Sequence, residues 1–265
     1  MTALKYAGAK NQIADWILSY FPAGYKRMTY LEPFFGSGVV FFRKERSTVE
    51  TINDIDNDIV NFFAVLREQP EKLVFLIHNT PWSRTEYDLS KEDCDDTLEK
   101  ARRFLVKHWF SIGARGETFR INKKGNNGNL GGFHSQLPTE LLRIADRLKN
   151  QCSSIVQIEH KDALELIPQY NRKNVFMYLD PPYLLKTRKN RKIYPHELSD
   201  EQHIKLLTLI NQSKAYIMLS GYDNDLYNSQ LKGWKKEQKM VCSEKEKKVE
   251  TIWMNYNSYQ YLLFE

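Results

Sequence analysis

Asp180-Pro181-Pro182-Tyr183 follows a short run of apolar, β-branched and aromatic residues, Val175 to Leu179. Two consecutive prolines remove two backbone donors and lock two φ angles, so the segment is a rigid frame for the acceptors it carries. The Asp180 carboxylate and the Pro181 carbonyl can each accept one hydrogen of an exocyclic amine such as N6 of adenine. Such an amine is a poor nucleophile because its lone pair is delocalised into the ring. Two acceptors aimed at its hydrogens push the nitrogen toward tetrahedral geometry and point the lone pair at a sulfonium methyl. This is alignment and electrostatic preorganisation, with no covalent enzyme intermediate. Tyr183 would stack on the base, and a base held in a duplex would have to be flipped out to reach it. The bland reading is a Pro-Pro turn that ends a strand, with Tyr183 as packing.

A second constellation lies near the N-terminus. Leu31-Glu32-Pro33-Phe34-Phe35-Gly36-Ser37-Gly38 places glycines two apart where a strand turns into a helix, so the backbone can bend tightly and approach a ligand. The spacing is neither G-x-G-x-x-G nor a P-loop, which disfavours a phosphate cradle; a plain tight turn also fits. Asn53-Asp54-Ile55-Asp56 ends the next strand, where a carboxylate can accept hydrogen bonds from a ribose diol. Asp54 or Asp56 can equally cap the following helix, and both roles coexist if Asp54 holds the ligand and Asp56 is the cap. Asp162, after a third strand, is placed to meet an adenine amino group or to cap a helix.

These sites need elements to hold them. Strand-like runs span Met28 to Leu31, Thr48 to Ile52, Ser154 to Ile158, Asn174 to Leu179 and Ala215 to Ser220. Asn11 to Tyr20, Asp56 to Glu68 and Asp200 to Gln212 carry apolar residues at helical spacing. The alternation predicts an α/β, Rossmann-like, doubly wound and mostly parallel sheet. Trp234 to Val241 and Glu250 to Met254 predict a C-terminal antiparallel hairpin at the sheet edge. About a hundred residues separate the second and third strands, where a crossover needs a dozen or two. That excess predicts an inserted, mainly helical lobe, with a helix at Thr97 to Phe110 and a Gly/Asn-rich segment at Gly113 to His134.

The net charge of +6 favours an anionic partner, and 42% hydrophobic residues suffice for a core. Lys186-Thr187-Arg188-Lys189-Asn190-Arg191-Lys192 leaves the tetrapeptide loop without an acid and reads as phosphate contact. In the lobe Arg102, Arg103, Lys107, Arg115, Arg120, Lys123 and Lys124 face few acids. Cys94, Cys152 and Cys242 show no metal or disulfide spacing, and the six histidines show no ligand spacing. With no signal-like N-terminus and no apolar stretch of roughly 20 residues, the expectation is a soluble cytoplasmic protein.

Taken together and in this order, the motifs resemble the Dam-type, alpha-class family of DNA adenine-N6 methyltransferases of bacteria and phages. Lys5-Tyr6-Ala7-Gly8-Ala9-Lys10 is similar to the family's K-[WY]-x-G-G-K, Leu31 to Gly38 to E-P-F-x-G-x-G, and Asp180 to Tyr183 to its catalytic tetrapeptide. Ser220-Gly221-Tyr222 and Thr251 to Tyr256 resemble late blocks of the same family. The resemblance implies a site-specific enzyme that uses S-adenosyl-L-methionine, yields S-adenosyl-L-homocysteine and needs no metal. It implies cofactor contacts from Tyr6, Lys10, Phe34, Gly36, Gly38, Asp54, Asp162 and Asp180, and catalysis by Asp180, Pro181, Pro182 and Tyr183. Lys5, Lys186, Arg188 and Lys189 are expected on DNA. Arg120-Ile121-Asn122-Lys123-Lys124-Gly125 is similar to the family's R-Y-N-x-[RK]-G hairpin, so Arg120, Asn122 and Lys124 are expected to read bases. Ile121 stands where GATC-specific members carry an aromatic, and Asn126 to Phe133 departs from F-N-V-P-x-G, which leaves the recognised sequence open. The implied division is a catalytic domain of 1–66 and 150–265 around a target-recognition domain of 67–149. Double-stranded DNA, a cognate restriction endonuclease as candidate partner, a monomeric state and a bacterial or phage-infected cytoplasm complete the expectation. The rival readings are a cytosine-N4 or RNA adenine-N6 methyltransferase and a DNA-binding relative without catalysis.

Overall fold

The computed structural model describes residues 4, 8, 10–112, 116–121, 130–187, 194–242 and 247–257. Seven strands form one sheet: β1 (Thr29–Glu32), β2 (Val49–Asn53), β3 (Ile155–Glu159), β4 (Val175–Leu179), β5 (Tyr216–Tyr222), β6 (Lys235–Cys242) and β7 (Lys247–Met254). Their order is β3-β2-β1-β4-β5-β7-β6. The first five run parallel, and β7 pairs antiparallel with both β5 and β6. The expected parallel sheet with an antiparallel C-terminal hairpin is therefore present, with β6 at the edge.

β4 is buried along its whole length, as a central strand covered on both faces must be. On one face Val175, Met177 and Leu179 pack with Leu206, Leu207 and Ile210 of the helix Asp200–Asn211. On the other, Phe176 and Tyr30 meet Phe21, whose ring lies 4.6 Å from that of Phe176. Each such side chain contributes about 1.5–3 kcal/mol of transfer free energy when fully buried. The first helix is shorter than its apolar spacing predicts, spanning Ala14–Leu18. Beneath β1 and β2 a charged pair is fully buried: Lys44 Nζ is bonded to Glu50 Oε1, donates to Ser47 Oγ at 3.2 Å and lies 4.2 Å over the Tyr30 ring.

The chain divides into two compact units. One comprises Gln12–Phe35, Arg43–Ile55 and Asn150–Glu265 and holds the whole sheet. The other gathers Met1–Asn11, Gly36–Phe42 and Asp56–Lys149 and, among the described residues, is helical apart from one isolated bridge. Within it the helices Asn57–Glu68, Thr97–Trp109 and Leu137–Leu148 share an apolar core, with Phe62 and Phe104 rings 5.8 Å apart. Trp82 stacks on Phe110 at 3.9 Å, and Phe133 closes the cluster edge-on.

One expectation for this helical unit is overturned. Arg102 and Arg103 are not solvent-facing cations with few acids nearby. The Arg102 guanidinium is buried and donates to Glu99, Glu86 and the Thr80 hydroxyl, and Arg103 donates to Glu99 at 2.9 Å. The helical register decides this, because Glu99 lies three and four residues before the two arginines and faces both.

Candidate active site

The sheet reverses its direction of growth between β1 and β4, so the carboxyl ends of these strands border the crevice where open α/β sheets bind ligands. Glu32 ends β1 and Asp180 directly follows β4. Asp180 is half-buried, and its Oδ1 accepts a hydrogen bond from Ser220 Oγ at 2.7 Å. Ser220 Oγ also lies 3.1 Å from the Leu179 carbonyl and 3.3 Å from Tyr178 Oη. A hydroxyl has one proton, and the nearer acceptor, the Asp180 oxygen at 2.7 Å, takes it. Tyr178 is then the donor to Ser220. Burial and the Asp180 charge hold the Tyr178 phenol well above its ordinary pKa, which keeps that donor protonated.

Tyr183 is fixed at its far end, where its hydroxyl donates to Glu250 Oε2 at 2.8 Å. Its ring meets Tyr222 edge-on with centroids 4.7 Å apart. Desolvation, then the Asp180 and Glu250 carboxylates, push its phenol well above the ordinary range, so Tyr183 remains neutral. Pro181 is buried and Pro182 half-buried. Glu32 was not singled out from its type or spacing as a chemical group. It is buried, accepts from Tyr30 Oη at 2.7 Å, and has a pKa pushed up to about 8 by burial and the Asp180 charge, against the Tyr30 hydrogen bond and Lys44.

The ends of β1, β2 and β3 are tied by a side chain that the sequence reading also passed over. Asn53 donates to the Pro33 carbonyl at 2.9 Å and to the Lys161 carbonyl at 3.0 Å, and accepts from the Lys161 amide at 2.9 Å. Asp54, the next residue, is half-buried at the tip of β2. Asp56 caps the helix Asn57–Glu68 by accepting from the Asp58 amide, as one of its open readings held. Asp162 likewise caps the short helix Ala163–Leu166, with Oδ1 2.8 Å from the Leu164 amide. Phe34 is half-buried against the core of the sheet unit.

Gly36 and Gly38 have φ of 50° and 64°, a region that costs a side-chain-bearing residue strain. The turn thus needs glycine for its own geometry and presents backbone without Cβ atoms. Lys10 is buried in the helical unit, its Nζ donating to the Gly8 carbonyl at 2.9 Å. Arg120 is half-buried and in register with Phe110, its amide donating to the Phe110 carbonyl at 2.7 Å beside the Ser111–Phe119 bridge. Lys186 is exposed and pairs with Asp200 at 2.8 Å, an acid distant in the sequence. Lys5, Tyr6, Asn122, Lys124, Arg188 and Lys189 lie outside the described residues. Among the described residues no cluster of His, Cys, Asp or Glu could hold a metal ion, and no helix is long and apolar enough to cross a membrane.

The family model of D12 class N6 adenine-specific DNA methyltransferases matches residues 6–250. The chain is 27% identical over 238 residues to the type II methyltransferase M1.LlaDCHI of Lactococcus lactis subsp. cremoris, covering 84% of this chain and 81% of that one. It is 26% identical over 263 residues to the type II methyltransferase M.MjaIII of Methanocaldococcus jannaschii, covering 87% and 88%. Among solved structures, the rRNA methyltransferase aviRa of Streptomyces viridochromogenes aligns with a TM-score of 0.40 at 12% identity, over 91% of this chain and 81% of that one.

Proposed function

The chain belongs to the D12 class N6 adenine-specific DNA methyltransferase family, and from that premise we propose that it methylates N6 of a flipped-out adenine at specific sites in duplex DNA, with S-adenosyl-L-methionine as donor. The observation that carries this reading is Asp180, held at the carboxyl end of β4 by Ser220 and followed by the rigid Pro181-Pro182 pair. Asp180 and the Pro181 carbonyl accept hydrogen bonds from the two N6 hydrogens, which localises the nitrogen lone pair before transfer, and one N6 proton is released to solvent once the methyl is on the nitrogen. The neutral Tyr183 ring, anchored at its hydroxyl, stacks on the base.

The residues present fit the donor. Gly36 and Gly38 turn the chain without Cβ atoms, and Asp54 offers a half-buried carboxylate at the strand tip suited to a ribose diol. Phe34, Asp162, Tyr6 and Lys10 are the proposed further contacts, with Asp162 keeping one oxygen on its helix. When bound, S-adenosyl-L-methionine supplies a sulfonium methyl and leaves as S-adenosyl-L-homocysteine.

We assign 1–66 and 150–265 to catalysis and 67–149 to target recognition. Lys5, Lys186, Arg188 and Lys189 take phosphates, which carry no sequence information, while Arg120, Asn122 and Lys124 read base edges. Two relatives named type II methyltransferases support a cognate endonuclease as counterpart, and the proposed setting is a bacterial or phage-infected cytoplasm. The test is transfer of a labelled methyl group to DNA, followed by digestion to nucleosides. N6-methyladenine from the native protein and none from Asp180→Ala is expected. Methylated cytosine as the product, or a native protein that binds the donor and transfers nothing, would overturn the reading.

A further inference from the structure

Ser220 and Tyr222 stand two apart on β5 and therefore share one face, and Glu250 of β7 is paired directly opposite Tyr222. All three touch the tetrapeptide: Ser220 Oγ donates to Asp180 Oδ1, the Tyr222 ring abuts Tyr183, and Glu250 Oε2 accepts from Tyr183 Oη. Gly221 between them faces the other way, where a Cβ would meet the Trp253 ring at 3.4 Å. We propose that Ser220 and Glu250 are positioning residues for methyl transfer, orienting Asp180 and Tyr183 from the β5–β7 antiparallel pair.

The physical case rests on what each contact removes. A strand-end carboxylate can rotate about χ2, and the two prolines that follow fix the backbone but not that rotation. The Ser220 hydroxyl, itself held by Tyr178, occupies one oxygen and so sets the plane in which the other is presented. Ser220 is almost wholly buried, so its bond to Asp180 does not compete with bulk water. Tyr183 is tethered at the opposite end of its ring, which fixes the plane offered for stacking. The antiparallel strand thus does more than extend the sheet: β7 delivers the acceptor for a residue that lies 67 positions earlier.

This inference rests on the reading of Asp180 and Tyr183 as the groups that face the adenine. Single-turnover rates, KM for donor and for DNA, and melting temperature are measured for Ser220→Ala, Ser220→Thr, Glu250→Ala and Tyr183→Phe, with Asp180→Ala as reference. Ser220→Ala should lower kcat on the order of ten- to a hundredfold while both KM values stay within about twofold, as for a displaced reacting group. Ser220→Thr keeps the hydroxyl and should recover most of that rate. Glu250→Ala should slow the native protein but cost nothing further in the Tyr183→Phe background, since its partner hydroxyl is already gone. Native kcat in Ser220→Ala, or an equal Glu250→Ala loss in both backgrounds, overturns the proposal while an inactive Asp180→Ala leaves the site reading standing. Should Asp180→Ala itself turn over normally, the site reading falls first. If Ser220→Ala fails to fold, a Ser220→Thr variant that folds but loses turnover decides against the proposal.

Discussion

Glu32 and Asp180 end neighbouring parallel strands at the point where the sheet reverses, and the Asp180 charge adds to the rise in the Glu32 pKa. Burial is the larger cause, and it takes Glu32 from an ordinary 4.5 to about 8. Between those two values the folded protein holds a proton that the unfolded chain has released. Stability is therefore greatest in acid and falls as pH rises through this interval, until above about 8 the buried charge costs its full amount. Glu32→Gln keeps an acceptor for Tyr30 Oη and removes the titration. It should stabilise the protein at alkaline pH by on the order of a few kcal/mol, at about 1.4 kcal/mol per pKa unit, and should flatten the slope. Urea unfolding of both proteins across this range checks it; parallel pH profiles would reject the assignment.

The Lys44–Glu50 pair lies near the start of β2, where Glu50 is paired with Tyr30 of β1, and neither side chain is exposed. Glu50→Ala removes the carboxylate from the buried Lys44 ammonium, which lies over the Tyr30 ring and also donates to the Ser47 hydroxyl and the Glu45 carbonyl. The expected loss is about 3–5 kcal/mol, whereas replacing both residues by apolar side chains of similar volume should cost much less. Denaturant titration of the single and double variants separates the two outcomes.

Much of the sheet was readable in advance because a strand buried on both faces must be a continuous apolar run. Val175 to Leu179 is one, and the tetrapeptide at its end needs no long-range information. Ser220 stood in a family-like block, yet what it and Glu250 do for that tetrapeptide was hidden. Ser220 and Glu250 reach it across 40 and 67 residues of sequence, and neither type is unusual in a strand. Composition misled at Arg102, where the chain appended a buried ion-pair cluster that charge counting reads as a basic surface. Asn53 looked like the neighbour of a ligand residue, yet its amide is what ties three strand ends together.

Asp54→Ala should weaken donor binding about ten- to a hundredfold, the scale of one hydrogen bond to a charged acceptor. Helix capping is not lost with it, because Asp56 carries that bond. Calorimetry with the donor alone measures the effect, and DNA affinity should be unchanged. An unaltered donor affinity would place the ribose elsewhere.

Three cations of the sequence reading, Arg102 and Lys186 from charge and Arg120 from a family-like hairpin, divide by environment. Arg102 is buried among Glu86, Glu99 and Thr80, so Arg102→Ala should strip Glu86 of its arginine, leave Glu99 with Arg103, and destabilise the helical unit without a specific DNA phenotype. Lys186 is exposed, and its pair with Asp200 is a solvated surface pair that holds the ammonium only weakly. It is therefore available to a phosphate, and Lys186→Ala should weaken binding to all duplexes alike. The slope of log affinity against log salt should fall by about one unit. Arg120 follows the Ser111–Phe119 bridge with its backbone bonded to Phe110, a fixed base for the side chain proposed to read a base edge. Arg120→Ala should relax the methylated motif by about 1–3 kcal/mol of discrimination and leave nonspecific affinity nearly intact. Binding titrations at two salt concentrations, together with methylation-sensitive sequencing of DNA from cells expressing each variant, distinguish all three. If Arg120→Ala lowers affinity uniformly and the motif is unchanged, base reading does not reside in that side chain.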